Sequence, residues 1–216
     1  MSAYTLPDWC KSALITLDTQ NDFTLPGAPA EIIGTYEILP FLKELLQVYR
    51  KAGLPVIHVV RLYKEDGSNV DICRREAIEK GTRIVAPMSP GANLVEKIQP
   101  DHRVEVDSDV LLKGDFQQIA SNEWIMYKPR WGAFYQTNLE PFLRDKNINT
   151  IVFSGCNFPN CPRTSIYEAS ERDYRIVLVS DAVSGLYEKG IEEMINIGVN
   201  VLQTDVIKSI ITETSP

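Results

Sequence analysis

The chain has 216 residues, of which 44% are hydrophobic and 24% charged, and its formal net charge is −7. This composition excludes global disorder, collagen-like repeats and coiled coil, and the acidic balance argues against nucleic-acid binding. No segment approaches the ~20 apolar residues that span a membrane, and residues 1–11 lack a signal-peptide pattern. We therefore expect one cytoplasmic domain over residues 1–216, with neither membrane nor nucleic-acid partners.

Strand and helix signals alternate along the chain, which is typical of a parallel α/β sheet. The predicted strands are 13–17, 55–60, 123–127, 150–154, 175–180 and 199–203. The predicted helices are 36–52, 72–80, 137–145, 162–172, 187–197 and 205–211. The segment 62–122 is otherwise loop-rich, so it is either functional or contains further elements. These elements predict a three-layer α/β/α fold around six parallel strands.

Three reactive side chains lie just past predicted strand ends. Asp18 follows the first strand, Lys128 follows the third, and Cys161 lies in the loop after the fourth. Open parallel sheets bind ligands outside the carboxyl ends of their strands. The sequence therefore indicates a base, a cation and a nucleophile at one edge of the sheet.

Each of these residues also has a structural interpretation. Pro162 suits the first helical position and would place Cys161 at the helix N-cap, where the helix dipole lowers a thiol pKa. A free cysteine is otherwise a common core residue. Asp18 could cap a turn, and Lys128 could be a solvated charge, although Trp131 and other aromatic residues follow it closely.

Several other polar residues favour structural interpretations. His58 lies mid-strand among apolar residues and is predicted to pack in the core. Cys156 and Cys161 form a C-x4-C pair that could be redox-active, but the chain has only two histidines, so no metal site is predicted. Arg74 and Arg75 could form an exposed helix face or contact an anionic substrate.

Three sequence blocks follow one another along the chain, each at a predicted strand end. Residues 17–23 read LDTQNDF, residues 128–137 read KPRWGAFYQT, and residues 155–161 read GCNFPNC. These blocks resemble the motifs D-x-Q-N-D-F, K-x5-[SA]-F-x2-T and G-x5-C of the isochorismatase-like cysteine hydrolases, which include nicotinamidases, carbamoylsarcosine amidases and ureidoacrylate amidases. The resemblance covers residues 12–203.

The resemblance implies a six-stranded parallel sheet in a three-layer fold, assembled into homodimers or tetramers. It implies a catalytic triad of Asp18, Lys128 and Cys161. It also implies a cis peptide bond between Cys156 and Asn157, and an oxyanion hole formed by the backbone N–H groups of Asn157 and Cys161. The expected reaction is hydrolysis of a C–N bond in a small amide, ureido or carbamoyl substrate through a thioester, without a cofactor.

We assign the substrate walls to Phe23, Trp131 and Phe158, and a carboxylate or carbonyl contact to Arg61. Nicotinamidases carry a D-x-H metal motif where this chain reads Arg61-Leu62-Tyr63, so that metal site is not expected. True isochorismatases lack the cysteine, which argues against their chemistry. A catalytically silent homologue that binds a ligand or partner is the alternative.

Overall fold

The computed structural model describes residues 2–214; Met1, Ser215 and Pro216, which the single-domain expectation included, lie outside the described residues. Seven strands form one sheet in the order β3-β4-β2-β1-β5-β6-β7. The strands are β1 (Ser12–Leu17), β2 (Val56–Val60), β3 (Gln117–Ala120), β4 (Glu123–Tyr127), β5 (Thr150–Gly155), β6 (Arg175–Val183) and β7 (Asn200–Leu202). The chain order reverses at β1, which pairs with β2 on one side and β5 on the other. Ligand sites in such sheets form at this reversal.

Helices cover both faces of the sheet, which confirms the predicted three-layer α/β fold. They are α1 (Asn21–Thr24), α2 (Leu39–Ala52), α3 (Ile72–Glu79), α4 (Ser108–Leu112), α5 (Leu139–Asp145), α6 (Cys161–Ser170), α7 (Glu188–Asn196) and α8 (Thr204–Thr214). Strand side chains alternate between two apolar cores, as a period of two requires. Leu14 packs with α2 and α8, whereas Ala13 and Ile15 pack with α5, α6 and α7. Within the described residues, no helix has the length and apolarity to cross a membrane.

The sheet differs from the prediction by one strand. Six strands are parallel, as expected, but β3 adds an antiparallel edge to β4. Its sequence, QQIA, contains one buried residue, Ile119, so it has no apolar run that would identify a strand. Short polar edge strands of this kind protect a sheet from further pairing.

The loop-rich segment 62–122 is part of the main core. Its buried apolar residues pack in the same cluster as β1 and α2, and they include Leu62, Val70, Val85, Leu94, Ile98 and Leu111. The segment also contains α3, α4 and two short 3-10 helices, Pro90–Ala92 and Glu96–Ile98. It is therefore packed into the domain core and is not a loop that projects from it.

Candidate active site

The three predicted strand-end residues meet in one cluster. The Lys128 ammonium Nζ lies 2.9 Å from Asp18 Oδ2 and 3.2 Å from Cys161 Sγ. The same Nζ also donates to the backbone carbonyl of Arg130 at 3.3 Å. One cation therefore contacts both the carboxylate and the thiol.

This cluster is buried yet incompletely paired. Lys128 is fully buried and Asp18 is 3% exposed. Asp18 Oδ1 has no hydrogen-bond partner among residues 2–214. Asp18 also adopts a left-handed φ of 52°, an uncommon conformation for a non-glycine residue. Because burying charges is costly, a spare carboxylate oxygen beside a thiol suggests a functional group rather than a structural one.

The electrostatics favour the neutral thiol of Cys161. Burial raises its pKa to about 12, the negative charge of Asp18 adds to that increase, and Lys128 opposes it. The sequence-based expectation of a lowered pKa is therefore wrong. Cys161 is the first residue of α6 rather than its N-cap, which is Asn160. The helix terminus is outweighed by burial and by the neighbouring carboxylate, so forming the thiolate requires a base.

A tight turn after β5 carries Cys161 to this position. Gly155 has a φ of +101°, and a Cβ there would lie 2.3 Å from the backbone oxygen of Leu17, so only glycine fits. The backbone N–H of Cys156 donates to the same Leu17 oxygen at 2.9 Å. Cys156 Sγ donates to the backbone oxygen of Asp18 at 3.2 Å. Cys156 therefore ties the turn to β1.

The cis peptide bond expected between Cys156 and Asn157 is wrong, because the described chain contains no cis peptide bond. A non-proline cis bond costs about 3 kcal/mol, and hydrogen bonds close this turn without one. Among residues 2–214, the backbone N–H groups of Asn157 and Cys161 have no acceptor. Both residues line the cavity at the cluster. The turn thus offers two free donors beside the thiol.

The cavity is small, about 130 Å³. The predicted wall residues Phe23, Trp131 and Arg61 all line it. Phe158 does not, and its assignment as a wall is wrong. Its backbone N–H donates to Ser184 at 2.7 Å, and its ring is fully buried in the core, 5.5 Å from the Tyr187 ring.

Arg61 has its guanidinium committed to protein partners. It forms a buried ion pair with Asp71 and donates to Tyr63 and to the Lys128 carbonyl, each at 3.3 Å. Burial alone would lower the pKa of Arg61, but Tyr63, Asp71 and Asp18 raise it above its usual value. Because Asp71 directly precedes α3, Arg61 ties that helix to the cavity. Among residues 2–214, no group of three or more His, Cys, Asp or Glu could hold a metal ion.

Sequence reasoning missed two kinds of site residue. The sequence does not distinguish a surface role from a site role for Arg74, and in the structure Arg74 lines the cavity. The sequence indicates no role for Gln20, whose side-chain amide donates to the backbone oxygens of Arg61 and Ala92 at 2.8 and 2.7 Å. Asp22 accepts from the Val85 backbone N–H at 2.6 Å. Gln20 and Asp22 belong to the polar run that follows Asp18, and this run is the sequence signal that could have identified them. Their side chains bind backbone groups next to and within segment 62–122.

Comparison with known proteins gives consistent matches. The family model described as Isochorismatase domain matches residues 12–206. A protein of Arabidopsis thaliana named a probable inactive nicotinamidase is 28% identical over 199 residues, which is 88% of this chain and 91% of that protein. The N-carbamoylsarcosine amidase of Arthrobacter sp is 26% identical over 203 residues, which is 90% of this chain and 69% of that protein. The crystal structure of an isochorismatase family protein from Desulfovibrio vulgaris subsp. vulgaris str. Hildenborough has a TM-score of 0.80 at 31% identity, covering 94% of this chain and 98% of that one.

Proposed function

The chain belongs to the isochorismatase family. From that premise we propose that it is a hydrolase of carbon–nitrogen bonds other than peptide bonds, and that it cleaves a small amide, ureido or carbamoyl substrate through a thioester on Cys161. One observation carries the proposal. The Lys128 ammonium contacts the Asp18 carboxylate and the Cys161 sulfur at once, in a buried cluster that lines a small cavity. This is the arrangement of nucleophile, base and orienting group that covalent catalysis requires.

In the first half of the reaction, the unpaired Asp18 oxygen accepts the proton of Cys161 while the sulfur attacks the substrate carbonyl carbon. Because burial and the Asp18 charge raise the thiol pKa, the attack depends on proton removal by this base. Lys128 remains charged and stabilises both the carboxylate and the developing thiolate. The carbonyl oxygen becomes an oxyanion, which accepts hydrogen bonds from the free N–H groups of Asn157 and Cys161. Such donors are typically worth ~3 kcal/mol each.

In the second half, the C–N bond breaks and Asp18, now a carboxylic acid, gives its proton to the leaving nitrogen. The acyl group stays on Cys161 as a thioester. Asp18 then takes a proton from a water molecule, whose oxygen attacks the thioester carbonyl. The C–S bond breaks, the proton returns to the sulfur, and the acid or carbamate product leaves.

The test is ammonia release by the wild type and by a Cys161→Ser variant on a panel of small amides, ureides and carbamates. We expect release by the wild type alone, because a serine hydroxyl is a far weaker nucleophile at the same position. The acyl-enzyme, trapped by acid quench, should appear by mass spectrometry on the peptide that contains Cys161. Equal release by both proteins would refute the thioester.

A second candidate function is supported by the similarity to a protein named a probable inactive nicotinamidase. In this alternative the chain binds a small ligand without turning it over. It predicts saturable binding of a panel compound to the wild type, measured by calorimetry, with no product after prolonged incubation. Product formation that depends on Cys161 excludes it.

A further inference from the structure

The charges around the cavity do not balance. Arg61 and Arg74 line it, and Lys128 contacts two of its lining residues, Asp18 and Cys161. Two of these three cations have a carboxylate partner: Lys128 pairs with Asp18, and Arg61 pairs with Asp71. Arg74 has no ion-pair partner among residues 2–214. One positive charge therefore remains unneutralised at the cavity of a chain whose net charge is −7.

Arg74 is held in place by contacts that leave a donor free. It lies in the first turn of α3, and its guanidinium carbon stands 5.2 Å from the centre of the Phe23 ring and 6.0 Å from that of Tyr63. Contact with aromatic faces fixes a guanidinium without consuming its N–H groups. Its Nη1 is buried and has no acceptor among residues 2–214. A buried charged donor without a partner is costly, so an acceptor from outside the chain would relieve it.

The contrast with Arg61 assigns different tasks to the two arginines. Both Nη atoms of Arg61 donate to protein partners, which are Asp71, Tyr63 and the Lys128 carbonyl, so Arg61 positions α3. Arg74 is carried by that helix and keeps a free donor. Arg74 and Cys161 line the same cavity of about 130 Å³, so one small molecule can contact both.

We propose that Arg74 recognises a carboxylate on the substrate, and that the preferred substrates are small amides or ureides carrying one carboxylate near the scissile carbonyl. The inference rests on the proposed function for the position of that carbonyl at Cys161. A carboxylate suits the site because a planar guanidinium binds it through charge-assisted hydrogen bonds. It also neutralises the surplus charge, which an uncharged amide does not.

The experiment compares amides that differ only in charge. Succinamate carries a carboxylate where 4-oxopentanamide carries a methyl ketone of nearly the same shape, and homologues one carbon shorter and longer complete the panel. The variants are Arg74→Gln and Arg74→Lys. Arg75→Gln is the matched control, because Arg75 lies on the same helix, is exposed and does not line the cavity. Urea unfolding verifies that each variant is folded.

We expect the wild type to prefer the acid. Arg74→Gln should lower kcat/KM for the acid by about tenfold to hundredfold, mainly through KM, because one charge-assisted contact is lost. The kcat/KM for the ketone should change by less than about twofold. Arg74→Lys should restore part of the preference for the acid. Arg75→Gln should leave kcat/KM unchanged for both substrates. A wild type that prefers the ketone, or an equal loss on both substrates in Arg74→Gln, would overturn the inference.

Binding separates this inference from the proposed function. Calorimetry on Cys161→Ala measures affinity for the acids without turnover. If no amide releases ammonia but the acids bind and Arg74→Gln weakens that binding, the proposed function fails and the carboxylate site stands. If the ketones are hydrolysed and no acid binds, the function stands and the site fails. Absence of binding by every acid also overturns the site.

Discussion

Strand β4 carries a buried charged network at each end, and the two networks differ in how completely they are paired. Lys128 follows the last residue of β4 and belongs to the candidate active site. Glu123 is the first residue of β4 and accepts hydrogen bonds from Arg50 and His58. Both networks are built from buried charges on the same strand, so burial alone does not distinguish a functional cluster from a structural one.

The network at Glu123 is saturated. One carboxylate oxygen accepts from Arg50 at 2.7 Å and His58 at 2.8 Å, and the other accepts from Arg50 at 2.8 Å. The other ring nitrogen of His58 bonds to the Thr16 hydroxyl at 2.7 Å. The packed core histidine predicted from the sequence is thus present, and it is also part of a polar network. Buried polar groups in structural networks are normally satisfied in this way.

The network at Lys128 is unsaturated. Among residues 2–214, one Asp18 oxygen and one Arg74 nitrogen lack partners, and the N–H groups of Asn157 and Cys161 have no acceptor. Each unpaired group has a role in the proposed chemistry. The Asp18 oxygen takes the proton, Arg74 binds the substrate carboxylate, and the two N–H groups bind the oxyanion. Buried unpaired atoms also occur away from the cavity, at Thr19, Thr24, Tyr174 and Arg175. The difference therefore teaches that several unpaired groups gathered at one cavity, more than buried charges, identify the site.

Removing the base should give the largest effect. Asp18→Asn should lower amide hydrolysis by about 10²–10⁴-fold, because proton transfer is lost. It should also lower the pKa of Cys161, since the Asp18 charge raises it. The variant would therefore hold more thiolate and hydrolyse less amide. Ammonia release and thiolate absorbance at 240 nm measure the two effects, with Asp18→Asn/Cys161→Ser as the absorbance control. Retained hydrolysis would contradict the role of Asp18 as base.

Removing the cation should destabilise the fold. Lys128→Met leaves the Asp18 carboxylate buried and unpaired, which should cost about 3–5 kcal/mol of unfolding free energy. The double variant Lys128→Met/Asp18→Leu removes both charges and should recover most of this loss while remaining inactive. Urea unfolding of both variants provides the measurement. A single variant as stable as the wild type would contradict the stabilising role of the Asp18–Lys128 ion pair.

Breaking the saturated network should separate stability from chemistry. Glu123→Leu leaves Arg50 and His58 without their acceptor and should cost about 2–3 kcal/mol, less than a fully buried pair because Arg50 is 25% exposed. At temperatures where the variant is folded, its kcat/KM for amide hydrolysis should match the wild type. A specific loss of activity in the folded variant would mean that the two ends of β4 are coupled.

The smallest effect should be a pH dependence of stability from Glu123. Burial raises the pKa of this carboxyl, but hydrogen bonds from Arg50 and His58 outweigh it and bring the pKa to about 2, from an ordinary 4.5. Because the folded-state value is the lower one, its stabilisation is complete above about pH 4.5 and is lost as the pH falls towards 2. The stability difference between wild type and Glu123→Gln, from urea unfolding at pH 7, 4 and 3, should shrink accordingly. A difference independent of pH would contradict the lowered pKa.

The sequence predicted what depends on local pattern. Apolar runs located the six parallel strands, and their carboxyl ends located Asp18, Lys128 and Cys161. The sequence did not predict features that depend on contacts between distant segments of the chain. The direction of Phe158 depends on a hydrogen bond to Ser184, 26 positions along the chain. The pKa of Cys161 depends on burial, which spacing does not reveal.

Arg74 shows the same limit, since nothing in its immediate neighbours distinguishes it from Arg75. Its position in the cavity follows from the ion pair between Arg61 and Asp71, which join different elements. The polar residues of β3 likewise concealed a strand that, within the described residues, pairs with β4 alone. A polar group is recognised as unpaired only when the hydrogen-bond partners of the surrounding polar groups are known, and the sequence does not give those partners.

The polar run after Asp18 also bears on how this protein could be re-engineered. Gln20, Asn21 and Asp22 each bind a backbone group of segment 62–122 through a side chain. Gly91 is confined to glycine because a Cβ there would lie 2.1 Å from the Asp22 carboxylate. The segment that carries Arg74 is thus docked by backbone recognition as well as by its buried apolar side chains and the Arg61–Asp71 ion pair. A chimera that exchanges residues 62–122 for those of a relative should fold if it keeps this glycine, Asp71 and the apolar character of the buried positions, and its substrate range should follow the graft.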